Sequence, residues 1–227
     1  MPWLFVLGFA IYFLVFRSAA EAWNRRTRGP GAKTAACGLS GHEVARALLE
    51  NLPQPTPSIA RGRAHELARH DPRGKKLVLG PSVYDGKTIT AVSLAALAVA
   101  EAATPDEEQA GLAARRSVTR FLHPAIGALI SAGVVMTLFR TPLWKPLLVV
   151  WLLSGVILLL GNASTLAAEY KLAARAMRLL DRAGLIARGE ESGFEEMRKA
   201  MPLREMKGVG AAVARVFRAL LPVKGWK

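Results

Sequence analysis

The run ITAVSLAALAVAEAATP, residues 89–105, decides how this chain is read. It is rich in Ala and Leu, which favour helix. The pattern predicts a helix from about Thr88 to Ala103, closed by Pro105 and the acidic Asp106, Glu107 and Glu108. A single carboxylate, Glu101, interrupts the apolar run near its end. Three readings of that acid stand: a polar helix-end residue close to water, a carboxylate–arginine contact, or what remains of a metal site.

Composition narrows the setting. The chain has 227 residues with 31 Lys plus Arg against 17 Asp plus Glu, a formal charge of +14. Its mean hydropathy is +0.24, high for a soluble domain. The lone Cys37 excludes an internal disulfide framework. A strongly basic balance points to nucleic acid or to an anionic membrane surface. Neither zinc-finger spacing nor an aromatic stacking pattern supports nucleic acid, so no specific nucleic-acid partner is expected.

The apolar residues gather in three blocks. MPWLFVLGFAIYFLVF, residues 1–16, carries no charge and is ended by Arg17. Its positive residues follow it rather than precede it, which argues for an uncleaved anchor over a secretory signal. FLHPAIGALISAGVVMTLF, residues 121–139, and PLLVVWLLSGVILLLGNASTLAA, from Pro146, are each long enough to cross a hydrocarbon core of about 30 Å. The short RTPLWKP between them predicts a helical hairpin, with Gly127, Ser131, Gly133, Ser154 and Gly155 allowing close approach. Basic residues flank the blocks on one side: Arg17, Arg25 and Arg26 after the first, Arg115, Arg116 and Arg120 before the second, Lys171, Arg175 and Arg178 after the third. The positive-inside rule then places residues 17–120 and 165–227 inside, and the N-terminus and the connecting turn outside.

Between the blocks, GLSGHEVARALLE (38–50) predicts a short helix capped by Ser40 with Glu43 three residues on. KKLVLG predicts a strand, and VYDGK a turn with Gly86 at its bend. EYKLAARAMRLLDRAG predicts a helix over 169–184 stopped by Gly184, and the segment from Phe194 onward is basic and helical in pattern. GVGAA, residues 208–212, lacks the spacing of a phosphate loop. Two histidine pairs invite a metal reading. HEVAR (42–46) has Arg46 where a second zinc ligand belongs, and HELARH (65–70) puts His70 at i+5, off the helix face. The plain reading of each is a surface histidine on an ordinary helix. His42, His65 and His70 stand as weak alternative metal ligands that only the fold could unite.

The chain resembles the neutral zinc metallopeptidases of bacterial membranes. The resemblance runs from the N-terminal block through GLSGHEVARALLE and HDPRGKKLVLGPSVYDGKTITAVSLAALAVAEA to TLAAEYKLAARAMRLL after the hairpin. In that family the helix following the tyrosine-glycine turn carries a His-Glu-x-x-His motif. Carried over, the motif puts Leu97 at the first zinc histidine, Ala98 at the catalytic glutamate and Glu101 at the second histidine. The third ligand, a glutamate after the hairpin, is retained as Glu169.

The resemblance implies a mainly α-helical integral membrane protein with a small zincin-like helical cytoplasmic region. Four parts are expected: an N-terminal anchor (1–20), a peptidase-like region (21–120), a transmembrane hairpin (121–164) and a basic C-terminal helical region (165–227). Leu97 cannot hold zinc and Ala98 cannot accept a proton, so no catalytic residue is assigned and no cofactor is expected, with zinc implied only if family activity is retained. The expected role is structural or protein-binding, in a bacterial cell membrane, with the lipid bilayer and a protein or peptide as partners. The alternatives are an active peptidase with relocated ligands and a basic membrane protein that binds anionic lipid or another polyanion.

Overall fold

The computed structural model describes residues 3–52, 57–64, 66–72, 74–118, 121 and 144–204. The expected mainly α-helical fold is found. In chain order the elements are α1 (Trp3–Arg28), α2 (Gly41–Glu50), β1 (Ser58–Arg61), β2 (Ala68–Asp71), β3 (Lys76–Leu79), the single turn α3 (Pro81–Tyr84), α4 (Ile89–Ala102), α5 (Asp106–Val118), α6 (Trp144–Arg182) and α7 (Glu191–Ala200). Residues 22–110 and 167–202 form one compact unit, and the other described residues belong to a second.

Local chemistry explains where the helices of the first unit begin and end. At α2, the Glu43 backbone N–H donates to Ser40 Oγ at 3.4 Å, and the Ser40 N–H donates to the Glu43 carboxylate at 2.7 Å. This reciprocal capping box satisfies two donors that a bare helix start leaves unpaired. At α4, Thr88 Oγ1 accepts from the Ala91 N–H at 3.2 Å. The end of α6 is closed by Gly184 at φ +66. There the Leu185 N–H donates to the Leu180 carbonyl at 3.0 Å and the Gly184 N–H to the Asp181 carbonyl at 2.9 Å. That paired closure needs a left-handed residue, which glycine adopts without steric cost.

The core is built around α4. Every residue from Ala91 to Glu101 is buried, the pattern of a helix apolar all round and enclosed on all sides. The three strands form a sheet in the order β1-β3-β2, with β1 parallel and β2 antiparallel to β3. Leu77 and Leu79 of β3 are fully buried, two residues apart as one face of a strand requires. Helix α4 packs against α2, α7, β2 and β3. On α6, Glu169, Leu172, Ala173, Ala176 and Leu180 form a buried stripe at helical spacing. Its apolar members join Leu97 and Ala98 in a single hydrophobic cluster.

Three expectations change. The HELARH segment is not a surface helix: Ala68–Asp71 is strand β2, with His70 opposite Leu77 in the ladder. A partner strand several residues downstream supplies that ladder, and sequence periodicity does not reveal it. The helix expected over 169–184 is the end of a longer one, because α6 runs unbroken from Trp144 to Arg182. Among the described residues, no single helix is long and apolar enough to cross a membrane. The pair α4 and α5, bent by 118°, passes that test together, but α4 is enclosed as a core helix. The expected second span (121–139, apart from Phe121), residues 140–143 of the connecting turn, His65 and the segment from 205 onward with its GVGAA lie outside the described residues.

Candidate functional site

Leu97 and Glu101 stand four residues apart on α4, so they share one face, with Ala98 beside them. Leu97 and Ala98 are both 0% exposed, and Glu101 is 8% exposed. A hydrolytic metal centre needs donor atoms and an open position for water. Positions 97 and 98 offer carbon atoms in a closed core instead. Glu169 is 1% exposed on the buried stripe of α6. Two carboxylates are too few oxygen donors for a hard cation and lack the nitrogen or sulfur ligands common at zinc sites. Among the described residues, no group of three or more His, Cys, Asp or Glu side chains is placed to hold a metal ion. The residues present do not fit a zinc ion.

The end of α4 is fastened by polar contacts that sequence reading did not single out. Thr104 is buried; its Oγ1 donates to the Ala100 carbonyl at 2.8 Å and accepts from Arg175 Nη1 at 2.8 Å. Arg175 Nη2 also faces Glu108 at 3.9 Å. Gln109 Nε2 donates to the Thr104 carbonyl at 2.6 Å and to that of Ala102 at 3.3 Å. Arg175 therefore ties α6 to the residues that close α4. No sequence motif marks Arg175 for this role.

The two described histidines lie in different surroundings. His42 stacks on Tyr84, with ring centroids 4.6 Å apart and planes 24° from parallel. Arg61 lies 5.7 Å from the same tyrosine ring and pairs with Asp85. His70 sits on β2, which packs against α4. Burial pushes its imidazole below the ordinary histidine range, opposed by the charges of Glu101, Asp71 and Asp106 and by a hydrogen bond with Gln109. His70 is thus the histidine that feels Glu101.

The pH consequence has a definite sign. A histidine depressed in the folded state is neutral there while the unfolded chain takes up a proton below about pH 6.5. The unfolded state then binds more protons, so stability falls as pH drops from about 6.5 toward the folded value. His70→Gln is expected to flatten this acid-side slope by at most one proton. Thermal melts of both proteins across about pH 7.5 to 5 measure it, and parallel curves would remove the role assigned to His70.

A protein-family model described as "Putative neutral zinc metallopeptidase" matches residues 5–222. Neither the curated proteins nor the solved structures contain a match to the chain.

Proposed function

The chain belongs to this family of neutral zinc metallopeptidases, and we propose that it is a non-hydrolytic, membrane-anchored member with a structural or protein-binding role. The observation that carries the reading is the closed core at Leu97 and Ala98, both 0% exposed. Without a metal ligand at the first position and a carboxylate at the second, neither carbonyl polarisation nor water activation has an agent. The family match spans most of the chain, and around this core stand the capped α2, the small sheet, α4 and the acid on α6. A retained frame without its chemistry suits a protein that holds other proteins or peptides rather than cutting them.

The membrane anchor is supported by apolar faces left uncovered on two helices. On α1, Leu7 is 57%, Ile11 55% and Leu14 62% exposed; on α6, Val149 is 56% and Leu153 60% exposed. Large side chains in such runs need an apolar environment, and a bilayer supplies one. The placement is a bacterial cell membrane, with the peptidase-like unit on the cytoplasmic side.

The reading is tested on detergent-purified protein by metal analysis and by peptide hydrolysis with and without chelator. Zinc well below one ion per chain and no chelator-sensitive cleavage are expected. Stoichiometric zinc that disappears in Glu169→Ala would overturn it. Flotation of reconstituted protein with neutral vesicles tests the anchor separately, and recovery only in the unbound fraction would end that part.

A further inference from the structure

We infer that α6 carries a docking seam for an acidic amphipathic helix of a partner protein, built from Ala167, Tyr170, Ala174 and Met177 and bordered by Lys171 and Arg178. The inference deepens the protein-binding reading above and rests on it. All of these residues stand on one helix within one compact unit. The seam residues recur at intervals of three, four and three, the spacing at which one helix lies along another. At about 100° per residue they fall within an arc of about 80°. The buried stripe that holds Leu172 and Ala176 lies on another side of the helix. The seam is therefore left over after the core is packed.

The seam is open to a partner. Tyr170 is 42% exposed, Ala167 is exposed, and Ala174 and Met177 are half-buried. Alanines at alternate seam positions let a second helix come close, and Tyr170 offers a large apolar ring with a polar tip. On α7, Arg198 lies within electrostatic reach of Tyr170, but its charge is already met by Glu195 at 2.6 Å. Lys171 and Arg178 run along one side of the seam, within about 20° of each other around the helix.

Charge selects the occupant. Lys171 and Arg178 are exposed and form no ion pair with a described residue. The helix dipole favours cations in a last turn, which accounts for Arg182 at the end of α6 but not for Lys171. Cations beside an apolar helical seam choose a partner by pairing with carboxylates on the facing helix. A second copy docked through the same seam would set cation against cation in one orientation. In the other it would meet the buried Ala173 and Leu180. An anionic lipid surface would attract the same cations, but the three-four spacing of the seam matches a helix. The occupant is therefore a helix with apolar residues at that spacing and Asp or Glu beside them, which the net charge of +14 also favours.

The test holds the full chain in neutral detergent and follows the fluorescence anisotropy of two labelled synthetic helices. Both carry a Leu seam; one is flanked by Glu and the other by Lys. The acidic helix should bind at least about tenfold more tightly than the basic one, with the preference falling toward one in about 0.5 M salt. Lys171→Glu/Arg178→Glu should reverse the preference, and Tyr170→Ser should weaken binding of the acidic helix severalfold. The strand-region control Lys75→Glu/Lys76→Glu makes the same change of charge and should leave both intact. An unreversed preference in the α6 variant, an equal change in the control, or equal binding of the two helices to the parent would overturn the inference. Displacement of the acidic helix by phosphatidylglycerol micelles, with no effect of Tyr170→Ser, would assign the cations to lipid and overturn it as well. An acidic helix left whole but unbound ends the seam alone, whereas chelator-sensitive cleavage of that helix ends the non-hydrolytic reading beneath it.

Discussion

Ala98→Glu is expected to destabilise the fold by about 3–5 kcal/mol, although it supplies the residue type that a catalytic base requires. Ala98 is 0% exposed and is surrounded on α4 by Ala95, Ala96 and Ala100, each also 0% exposed. Small residues in series let neighbouring elements approach closely, so a longer side chain meets atoms before it finds water. Overpacking alone costs about 1–3 kcal/mol. Removing a carboxyl group from water without a partner adds a cost of similar size. For a domain of this size the fall in melting temperature is about 10–20 °C.

The pH dependence of that variant identifies the cause. A buried carboxyl is held protonated in the folded state, so its folded value lies above the unfolded one. Between the two values the folded chain binds more protons, and stability relative to the parent falls as pH rises through that window. Ala110→Glu places the same side chain at an exposed position and should change stability by no more than about 0.5 kcal/mol. Melting curves of the two variants decide the matter. Parent-like stability of Ala98→Glu would mean that this face of α4 is open to water, and the non-hydrolytic reading would lose its main support.

Features encoded by neighbouring residues were legible in the sequence. Ser40 and Glu43 form their capping box, Gly184 ends α6 at a positive φ, and α4 differs by one residue at each end from its predicted span. Each of these depends on contacts within a turn or two. The features that were missed depend on contacts between distant segments. HELARH carries helix-forming residues, yet pairing with β3 draws Ala68–Asp71 into a strand. Arg175 gave no motif, because its meaning arises only when Thr104 and Glu108 lie opposite it. The family resemblance names 97, 98 and 101 as the motif positions. That Leu97 and Ala98 are sealed in the core is a property of the packing around them.

Writing the family's motif at the positions the resemblance implies, Leu97→His/Ala98→Glu/Glu101→His, is expected to produce a protein whose stability depends on zinc. In chelator the triple variant should melt well below the parent, because the first two changes place polar groups in fully buried positions. Leu97 alone contributes packing whose loss costs about 2–5 kcal/mol. Zinc can return part of this, since the new side chains at 97 and 101 share a helix face and Glu169 sits on a stripe that joins the same core. A ligand bound only by the folded state stabilises it by about 2.7 kcal/mol at a hundred times its dissociation constant. A zinc-dependent rise of about 5–10 °C is therefore expected in the triple variant, with no rise in the parent. Adding Glu169→Gln to the triple variant should remove most of the rise. If zinc leaves the triple variant's melting unchanged while the protein remains folded, α4 and α6 no longer hold the spacing of a metal centre. The loss would then extend beyond three side chains to the frame itself. A zinc-dependent rise that requires Glu169 would instead locate the loss in the side chains alone.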